Sequence, residues 1–401
     1  MTLERFPGLL FTLLLLLRQS GRRAWWVSAL LWMAAIAPAQ AVDLRVAIED
    51  GVSQVTVGSS TRAIVRDGSG RPLGEIAAMN AFIAQPQKGT VALDRWRAGQ
   101  IWVEPTGEGY VFIGNRWYRG KAQVVPTGRG LTAVNHVNLE HYLYSVLGGE
   151  MNGNWPQEAL KAQAVAARSY ALHKRQRSSN GVFDLGDTPL WQVYRGISDE
   201  SAGTQMAVNA TRGEVLLDQN NQIIEAVFHS SAGGCTENVE DIWVQPLSYL
   251  RSVRETQFFN EASPVAQWTK DFSRSELSKR ISGVGNIVSL VPEKTTQCGR
   301  VVSMRVTGDT GRSRIIRGDE LRSALDLRST LFTINPQSTV SAEKQKSQSP
   351  TLFQVVGRGF GHGLGMSQWG AYNLAQQRNA NYLQILGVYY QNTKLTRIQE
   401  Q

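Results

Sequence analysis

The sequence predicts an α+β protein with an all-β region near its N-terminal end. Short apolar segments separated by turn residues fill residues 42–125, which is the pattern of strands. From residue 138 the apolar spacing changes to that of amphipathic helices. Strands and helices then mix without a regular βαβ rhythm, which favours α+β over a doubly wound sheet. We expect an accessory β region over residues 42–114 and a mixed domain over residues 115–395.

Residues 1–41 have the pattern of a targeting segment. Arginines precede the apolar run AWWVSALLWMAAIA, and PAQA supplies an A-x-A cleavage site. A second apolar run, LLFTLLLLL, lies upstream, and each run is shorter than the roughly 20 residues that span a bilayer. We therefore expect an exported protein whose signal peptide is cut after Ala41, with an uncleaved membrane anchor as the alternative.

The net charge of the chain indicates what kind of partner the protein binds. The net charge of +9 falls to +6 when four arginines and one glutamate leave with residues 1–41. Basic charge on an exported protein favours an anionic polymer or a membrane surface over nucleic acid as the binding partner.

The two cysteines, Cys235 and Cys298, predict one disulfide, with two free thiols as the alternative. A metal shared by His229 and Cys235 would have too few ligands for a structural zinc site.

Two helices follow the β region. Residues 139–147 place apolar side chains on one helical face, with Asn138 as the N-cap and Gly148–Gly149 as the stop. The next helix is rich in alanine, and Asn154 with Gln157 fits a capping box.

Shorter elements fill the rest of the chain. We expect a helix over residues 200–211, a hairpin turning at Asn220–Asn221, and a short helix near residues 319–325 among strands. The polar segment 335–351 reads as a flexible loop, and a helix in YLQILGVYY closes the domain.

A glycine-rich stretch, GRGFGHGLGMSQWGAYNLAQQ, occupies residues 357–377. It lacks both the dinucleotide fingerprint and the G-K-[ST] ending of a phosphate loop, and one histidine cannot hold a metal. It predicts a turn-rich backbone that something can approach closely. His362, Ser367 and Gln368 would supply polar groups, and Trp369 a stacking face. The alternative is a tight structural turn around a buried histidine.

Two further places carry candidate chemistry. Glu150 follows the glycines that are predicted to end the first helix, and the negative end of that helix dipole would raise its pKa, as a general acid requires. The N-terminus of the next helix acts in the opposite direction, and an ordinary surface glutamate is the alternative. The segment FHSSAGGCTENVEDIW contains His229 next to Ser230. Adjacent residues of a strand point to opposite faces, so a polar binding loop is favoured over a Ser-His-Asp set.

Five segments, in order, resemble the SpoIID/LytB family of sporulation stage II D proteins and their relatives. They are VNLEHYLYSVLGGEMNGNWPQEALKAQAVAARSYAL, WQVYRG, FHSSAGGCTENVEDIW, TGRSRIIRGDELRSAL and GRGFGHGLGMSQWGA. The resemblance covers roughly residues 115–395 and leaves the accessory β region outside. It implies a glycan-binding groove and lytic cleavage of peptidoglycan strands that lack stem peptides, which leaves 1,6-anhydro-N-acetylmuramic acid ends.

The resemblance also implies roles for single residues. Glu150 would be the catalytic acid and base, and Arg168 would contact the sugar N-acetyl or lactyl groups. His229, Ser230 and Ser231 match the groove motif of the family. The glycine-rich stretch would form one wall, where His362, Ser367, Gln368 and Trp369 contact sugar and the glycines admit the polymer.

The resemblance leaves the cofactor and the class of function open. Some relatives hold zinc near the His229 loop; here Cys235 is present, but Glu240 and Asp241 stand at the later positions, so we expect no cofactor. Other relatives are described as enhancers of a cell-wall amidase that bind peptidoglycan without cutting it. That binding role is the alternative to catalysis.

Overall fold

The computed structural model of the chain describes residues 42–243, 245–255, 263–337 and 350–398. The predicted signal peptide or anchor lies outside these residues, as does most of the loop predicted over 335–351. No helix within the described residues is long and apolar enough to cross a membrane. The described chain is α+β, as predicted.

Twelve strands fill the N-terminal part of the described chain, where the sequence predicts an all-β region. They are β1 (Asp43–Val52), β2 (Val55–Ser59), β3 (Ala63–Asp67), β4 (Pro72–Ile76), β5 (Asn80–Gln87), β6 (Thr90–Leu93), β7 (Trp96–Ala98), β8 (Ile101–Pro105), β9 (Val111–Ile113), β10 (Arg116–Tyr118), β11 (Lys121–Thr127) and β12 (Gly130–Asn138). With β13 (Leu185–Gly186) they form a seven-stranded sheet, in the order β13-β1-β12-β11-β8-β3-β4, and a six-stranded sheet, in the order β10-β9-β2-β5-β6-β7.

The predicted boundary between residues 114 and 115 falls inside these two sheets. β10 pairs antiparallel with β9 in one sheet, and β11 pairs antiparallel with β8 in the other. β12 pairs antiparallel with β1 along most of its length. Backbone hydrogen bonds therefore join the accessory β region directly to the start of the second predicted domain.

Eight α-helices are described after the strand-rich part, together with one short 3-10 helix, Gly196–Asp199. They are α1 (Leu139–Glu150), α2 (Gln157–Arg177), α3 (Ala202–Ala210), α4 (Val239–Ile242), α5 (Arg274–Arg280), α6 (Gly318–Ala324), α7 (Gln368–Arg378) and α8 (Tyr382–Tyr389). The predicted cap of α1 is confirmed, because the side-chain oxygen of Asn138 accepts hydrogen bonds from the backbone N–H groups of Glu140 and His141.

The predicted end of α1 at Gly148–Gly149 is wrong, because the helix continues through Glu150. A Cβ atom on Gly148 would lie 1.7 Å from the backbone oxygen of Asp199, and one on Gly149 would lie 3.0 Å from that of Val193. The two glycines therefore serve packing: they let the segment over residues 193–199 lie directly against the last turn of α1.

The small alanine side chains of α2 let neighbouring helices pack closely against it. Its alanines are buried, and α1, α3, α7 and α8 all pack against it. The predicted capping box is wrong, because Pro156 is the N-cap and makes no side-chain hydrogen bond.

The hairpin predicted around Asn220–Asn221 forms only in part. Asn221 has a φ of 61°, and the backbone N–H of Asp218 donates to the oxygen of Gln222, so the turn is present. The arm before the turn, β14 (Glu214–Leu217), instead pairs antiparallel with β23 (Lys394–Arg397) near the C-terminal end of the described chain. The arm after the turn forms a single bridge, between Ile223 and Leu217.

Two three-stranded antiparallel sheets build the C-terminal part. One has the order β16 (Gln267–Ser273), β21 (Leu352–Arg358), β20 (Phe332–Gln337), and the other β17 (Ile287–Thr295), β18 (Val301–Gly308), β19 (Ser313–Arg317). Residues of both sheets, α5 and α6 share one hydrophobic core. Helix α6 is the short helix predicted near residues 319–325.

Candidate functional site

Two short strands bring the His229 segment beside the glycine-rich stretch. In parallel register, β15 (Phe228–His229) pairs with β22 (Met366–Ser367). Further along, the backbones of Ser231 and Phe360 donate to each other at 2.9 and 2.8 Å. Two motifs that are far apart in the sequence therefore form one side of the site.

The glycines of this stretch accommodate the protein itself. Gly359, Gly361, Gly363 and Gly365 all have positive φ. A Cβ atom on Gly361 would lie 2.5 Å from that of His229, and one on Gly363 would lie 2.3 Å from Nε of Arg300. These glycines supply left-handed backbone and space for neighbouring side chains. Gly361 also lines the groove described below, and close approach of a polymer to it stays a prediction.

A groove with a volume of about 610 Å³ lies beside this pairing. It is bounded by the end of α1, by α2, by the segment before Val193, by the β15 region, by α6 and by the start of α7. Its lining residues are Gly149, Glu150, Tyr170, Lys174, Pro189, Leu190, Trp191, Val193, Glu225, Val227, Phe228, His229, Ser230, Trp243, Arg322, Phe360, Gly361, His362 and Gln368.

Glu150 is held in this groove by donors from two distant segments. The backbone N–H of Val193 donates to Oε1 at 3.0 Å, and the Nε2 amide of Gln368 donates to Oε2 at 3.3 Å. Burial raises the pKa of Glu150, while these hydrogen bonds and the charge of Arg195 oppose the rise. The two opposed helix ends left the direction of the shift open in the sequence, and burial decides it by raising the pKa of Glu150.

Backbone groups orient the two histidines of the site, and burial keeps both rings uncharged. Nδ1 of His362 accepts a hydrogen bond from the backbone N–H of Leu364, and Nε2 faces the backbone oxygen of Phe228. Because that oxygen can only accept, Nε2 is the nitrogen that carries the proton. Burial lowers the pKa of His362 to about 4. Buried His229 faces the oxygen of Leu364 through Nδ1, and burial lowers its pKa well below the usual range. Both rings are neutral at pH 7, and the bonds of His362 agree with the structural-turn alternative.

The expectation that Arg168 contacts sugar is wrong. Its side chain is fully buried, and its guanidinium makes two hydrogen bonds to the carboxylate of Glu140, at 2.9 and 2.6 Å. It also donates to the backbone oxygen of Glu214 at 3.1 Å. Arg168 therefore ties α2 to α1 and to β14 from inside the core.

The serines of the two motifs divide between structure and groove. Ser230 lines the groove. Ser231 and Ser367 are buried, and the hydroxyl of Ser367 caps α7 by accepting from the N–H of Gly370 at 3.1 Å. Direct sugar contact by these two hydroxyls disagrees with their burial.

Trp369 lies next to Gln368 but outside the groove lining. Its ring packs against Trp155 and Tyr372, with ring centroids 4.8 and 5.3 Å away. This three-ring cluster fixes the loop after Glu150 against α7. The Trp369 ring therefore packs against aromatic rings of the protein, whereas the sequence predicts that it contacts sugar. Gln368, by contrast, reaches the groove through its contact with Glu150.

Sequence reasoning missed the apolar surfaces that line the groove. Leu190 is 89% exposed and Phe360 is 42% exposed, although both are apolar, and Trp191 and Trp243 also present partly exposed rings. Exposed aromatic side chains in a groove mark a binding surface. Both tryptophans lie within quoted motifs, so their presence there was the available signal.

A second acid lies beneath the site. Glu255 is fully buried and accepts a hydrogen bond from the hydroxyl of Tyr389 at 2.6 Å. A Cβ atom on Gly370 would lie 2.3 Å from its Oε1, which places the carboxyl under the start of α7. Burial raises its pKa to about 7. Nothing local in the sequence distinguishes this glutamate.

The cysteines are paired in a disulfide, as the sequence predicts. Cys235 is bonded to Cys298, with a Cα–Cα distance of 6.0 Å. The sulfur of Cys235 is therefore not available as a thiolate to bind zinc with His229. In the part of the chain that the structure describes, no three His, Cys, Asp or Glu side chains are grouped to hold a metal ion.

Comparison with known proteins gives matches across the two motif-bearing regions. A family model described as SpoIID, Stage II sporulation protein, matches residues 127–217. A second model, described as a domain of unknown function, DUF8618, matches residues 237–365.

Three relatives illustrate the extent of similarity. Stage II sporulation protein D of Bacillus subtilis is 32% identical over 288 residues, which cover 66% of this chain and 76% of that protein. An uncharacterized protein of Brachyspira hyodysenteriae is 31% identical over 65% of this chain and 67% of its own length. The amidase enhancer of Bacillus subtilis is 32% identical, but the match covers 40% of that longer protein and 63% of this chain. Together with the five motifs, these matches show that the chain belongs to the SpoIID/LytB family.

Proposed function

We propose that the protein is an exported cell-wall enzyme that cleaves peptidoglycan glycan strands by lytic transglycosylation. The observation that carries this proposal is the position of Glu150, half-buried in an open groove with a raised pKa. A carboxyl with a raised pKa keeps its proton closer to neutral pH and can act as a general acid.

The chemistry needs one carboxyl group. Glu150 donates its proton to the glycosidic oxygen as the bond from that oxygen to the anomeric carbon of N-acetylmuramic acid breaks. The resulting carboxylate then takes the proton of the 6-hydroxyl as that oxygen bonds to the same anomeric carbon. The products are two shorter strands, one of which carries the 1,6-anhydro end. No water is consumed, and Glu150 recovers its proton.

The other groove carboxylate is occupied. Glu225 pairs with Lys174 at 2.5 Å and lies 4.0 Å from His173. A hydrolase of the two-carboxylate type needs a second acid that can act as base or nucleophile. Among the described lining residues, Glu150 is the acid without a cationic partner, which supports a one-carboxyl mechanism.

The rest of the groove fits a sugar polymer. Trp191, Trp243 and Phe360 offer apolar faces for sugar rings, while Tyr170 and Ser230 supply hydroxyl groups. We expect no cofactor, because the mechanism above uses only Glu150 and the substrate.

A second function deserves a direct test because of the similarity to an amidase enhancer. In this case the same groove would bind peptidoglycan and a separate cell-wall amidase would do the cutting. The aromatic faces serve either function, whereas the half-buried carboxyl of Glu150 with its raised pKa serves only the first.

Digestion of purified glycan distinguishes the two functions. Denuded peptidoglycan strands are incubated with the protein and the products are read by mass spectrometry. We expect anhydro-ended fragments with the wild type and none with Glu150→Gln, whose amide keeps the shape but cannot donate the proton. Intact denuded strands, together with faster release of stem peptides from peptide-bearing peptidoglycan by an added amidase, would establish the enhancer function instead.

A further inference from the structure

A second cavity adjoins the groove and shares a wall with it. This cavity has a volume of about 380 Å³, and Trp243, Arg322 and His362 line both it and the groove. Arg322 therefore lies where it can reach a ligand in either the groove or the second cavity.

Arg322 is the cation of this wall that lacks a charged partner. The residue belongs to α6 and is half-buried, and its Nε donates to the backbone oxygen of Leu327 at 3.2 Å. Among the described residues it forms no ion pair. Burial alone lowers its pKa, without a compensating carboxylate. A partly desolvated guanidinium of this kind gains free energy when an anion binds.

The other two arginines of the cavity lining each have a carboxylate partner. Arg317 pairs with Asp319 at 2.9 Å, and buried Arg300 pairs with Glu237 at 3.6 Å. The remaining acid of the lining, Asp241, accepts a hydrogen bond from Asn238 at 3.4 Å. Among the described residues of this lining, Arg322 is therefore the arginine without a carboxylate partner.

We infer that Arg322 binds the lactyl carboxylate of an N-acetylmuramic acid residue whose sugar ring lies in the groove. This inference rests on the proposed glycan substrate. Muramic acid carries its lactyl group as an ether on the sugar ring, so the ring and the carboxylate fit two adjoining cavities. A guanidinium matches a carboxylate with two parallel hydrogen bonds.

The inference gives the site a means of selecting its substrate. When a stem peptide is attached, the lactyl carboxyl is an amide and carries no charge. Its amide cannot pair with Arg322 as an anion, and the peptide must also pass the wall formed by Trp243 and His362. Removal of the peptide by an amidase creates the carboxylate, so the reaction that supplies this substrate is amide hydrolysis.

Binding measurements on the full chain carrying Glu150→Gln test this inference without cleavage. Calorimetry compares a denuded muramoyl tetrasaccharide, the same compound with its lactyl groups converted to primary amides, and a chitin tetrasaccharide. We expect Arg322→Gln to weaken binding of the denuded compound about tenfold, or about 1.4 kcal/mol, and to change the other two less than twofold.

Three controls keep the result specific. Arg305→Gln removes the same charge at an exposed site on β18, where Arg305 pairs with Glu293, and should leave all affinities unchanged. Arg322→Lys keeps the charge but loses the paired geometry and should recover part of the affinity. If Arg322→Gln fails to fold, the parent protein must still prefer the carboxylate over the primary amide about tenfold.

Several outcomes would overturn the assignment. These are equal weakening of all three ligands, no weakening of any, or no binding of the denuded compound. Peptide-bearing glycan that binds as tightly as denuded glycan and loses as much in Arg322→Gln would assign the arginine to a stem-peptide carboxylate. Absence of cleavage by the wild type would refute the proposed activity alone, because the binding comparison does not use it.

Discussion

The amide of Gln368 donates a hydrogen bond to the carboxylate of Glu150 across 218 positions of the sequence. This contact joins the end of α1 to the start of α7, and so links the predicted acid with the glycine-rich stretch. Because the amide donates to the ionised form, it lowers the pKa of Glu150 against the larger effect of burial.

Replacing Gln368 is therefore expected to change the pH dependence of glycan cleavage. In Gln368→Leu the carboxylate loses one donor, so the pKa of Glu150 rises further and the protonated acid persists to higher pH. The alkaline side of the pH profile should move up by about 0.5 to 1 pH unit.

The pH profile of anhydro-product formation measures this shift, and carbon NMR of labelled glutamate measures the pKa itself. Gln376→Leu, the same change at an exposed position of α7, is the matched control. A profile that moves to lower pH, or moves equally in the control, would contradict the assigned role of the amide.

Buried Glu255 should make the protein less stable as pH rises. Its pKa is about 7 in the folded protein, against an ordinary value of 4.5, so the folded state holds the proton more tightly. Its contribution is complete below about pH 4.5 and is lost as pH rises through 7. Glu255→Gln removes this dependence and keeps an acceptor for Tyr389.

Urea unfolding at several pH values tests this prediction. Relative to the wild type, Glu255→Gln should gain about 3 kcal/mol of unfolding free energy between pH 4 and pH 8. Parallel curves for the two proteins would show that Glu255 is already ionised in the folded state.

What the sequence could predict was local, and what it could not predict depended on distant partners. Asn138 marks the start of α1 because an N-cap acts within three residues. The end of α1 was missed because Gly148 and Gly149 are explained by contact with Asp199 and Val193, not by helix termination. Likewise, β14 finds its partner in β23, far along the chain, rather than in its own hairpin.

At the site, too, the sequence predicted local motifs but not the contacts between distant residues. The motifs identified the segments that carry Glu150, His229 and Gln368, and the structure brings these three to one groove. Motif matching could not separate residues that face the groove from residues that support it. Arg168 belongs to the second group, and only its burial reveals this.

The pair of Arg168 and Glu140 should contribute to stability rather than to binding. Arg168→Met leaves a buried carboxylate without its partner, which is expected to cost about 3–5 kcal/mol of unfolding free energy. The double variant Arg168→Met with Glu140→Leu removes both charges and should recover part of that loss.

Chemical unfolding of the two variants checks this prediction, and glycan binding is measured alongside. A stably folded Arg168→Met protein with weakened glycan binding would restore the sugar-contact role for the arginine.

The disulfide of Cys235 and Cys298 should stabilise the region beside the groove. It closes a loop between residues separated by 63 positions. Replacing both cysteines by serine is expected to lower the free energy of unfolding by about 2–5 kcal/mol, because the unfolded chain is no longer constrained by the bond. Thermal unfolding with and without a reductant measures the effect in the wild type, and the double variant should be insensitive to the reductant. Two thiols that react with a labelling reagent in the unreduced, unfolded protein would contradict the bond.

Gly363 and Gly70 form a matched pair for separating packing from backbone strain. Their φ values are nearly equal, 84° and 85°, but a Cβ atom on Gly363 would meet the guanidinium of Arg300, whereas one on Gly70 would meet nothing within 4 Å. Gly70→Ala should therefore lose only about 1 kcal/mol of unfolding free energy, because alanine disfavours the left-handed conformation. Gly363→Ala carries the same strain and must in addition displace buried Arg300 from the oxygen of Ala232, to which it donates at 2.8 Å. We expect its total loss to exceed that of Gly70→Ala by at least about 2 kcal/mol in urea unfolding. Equal losses would mean that the glycine at residue 363 serves its backbone conformation alone.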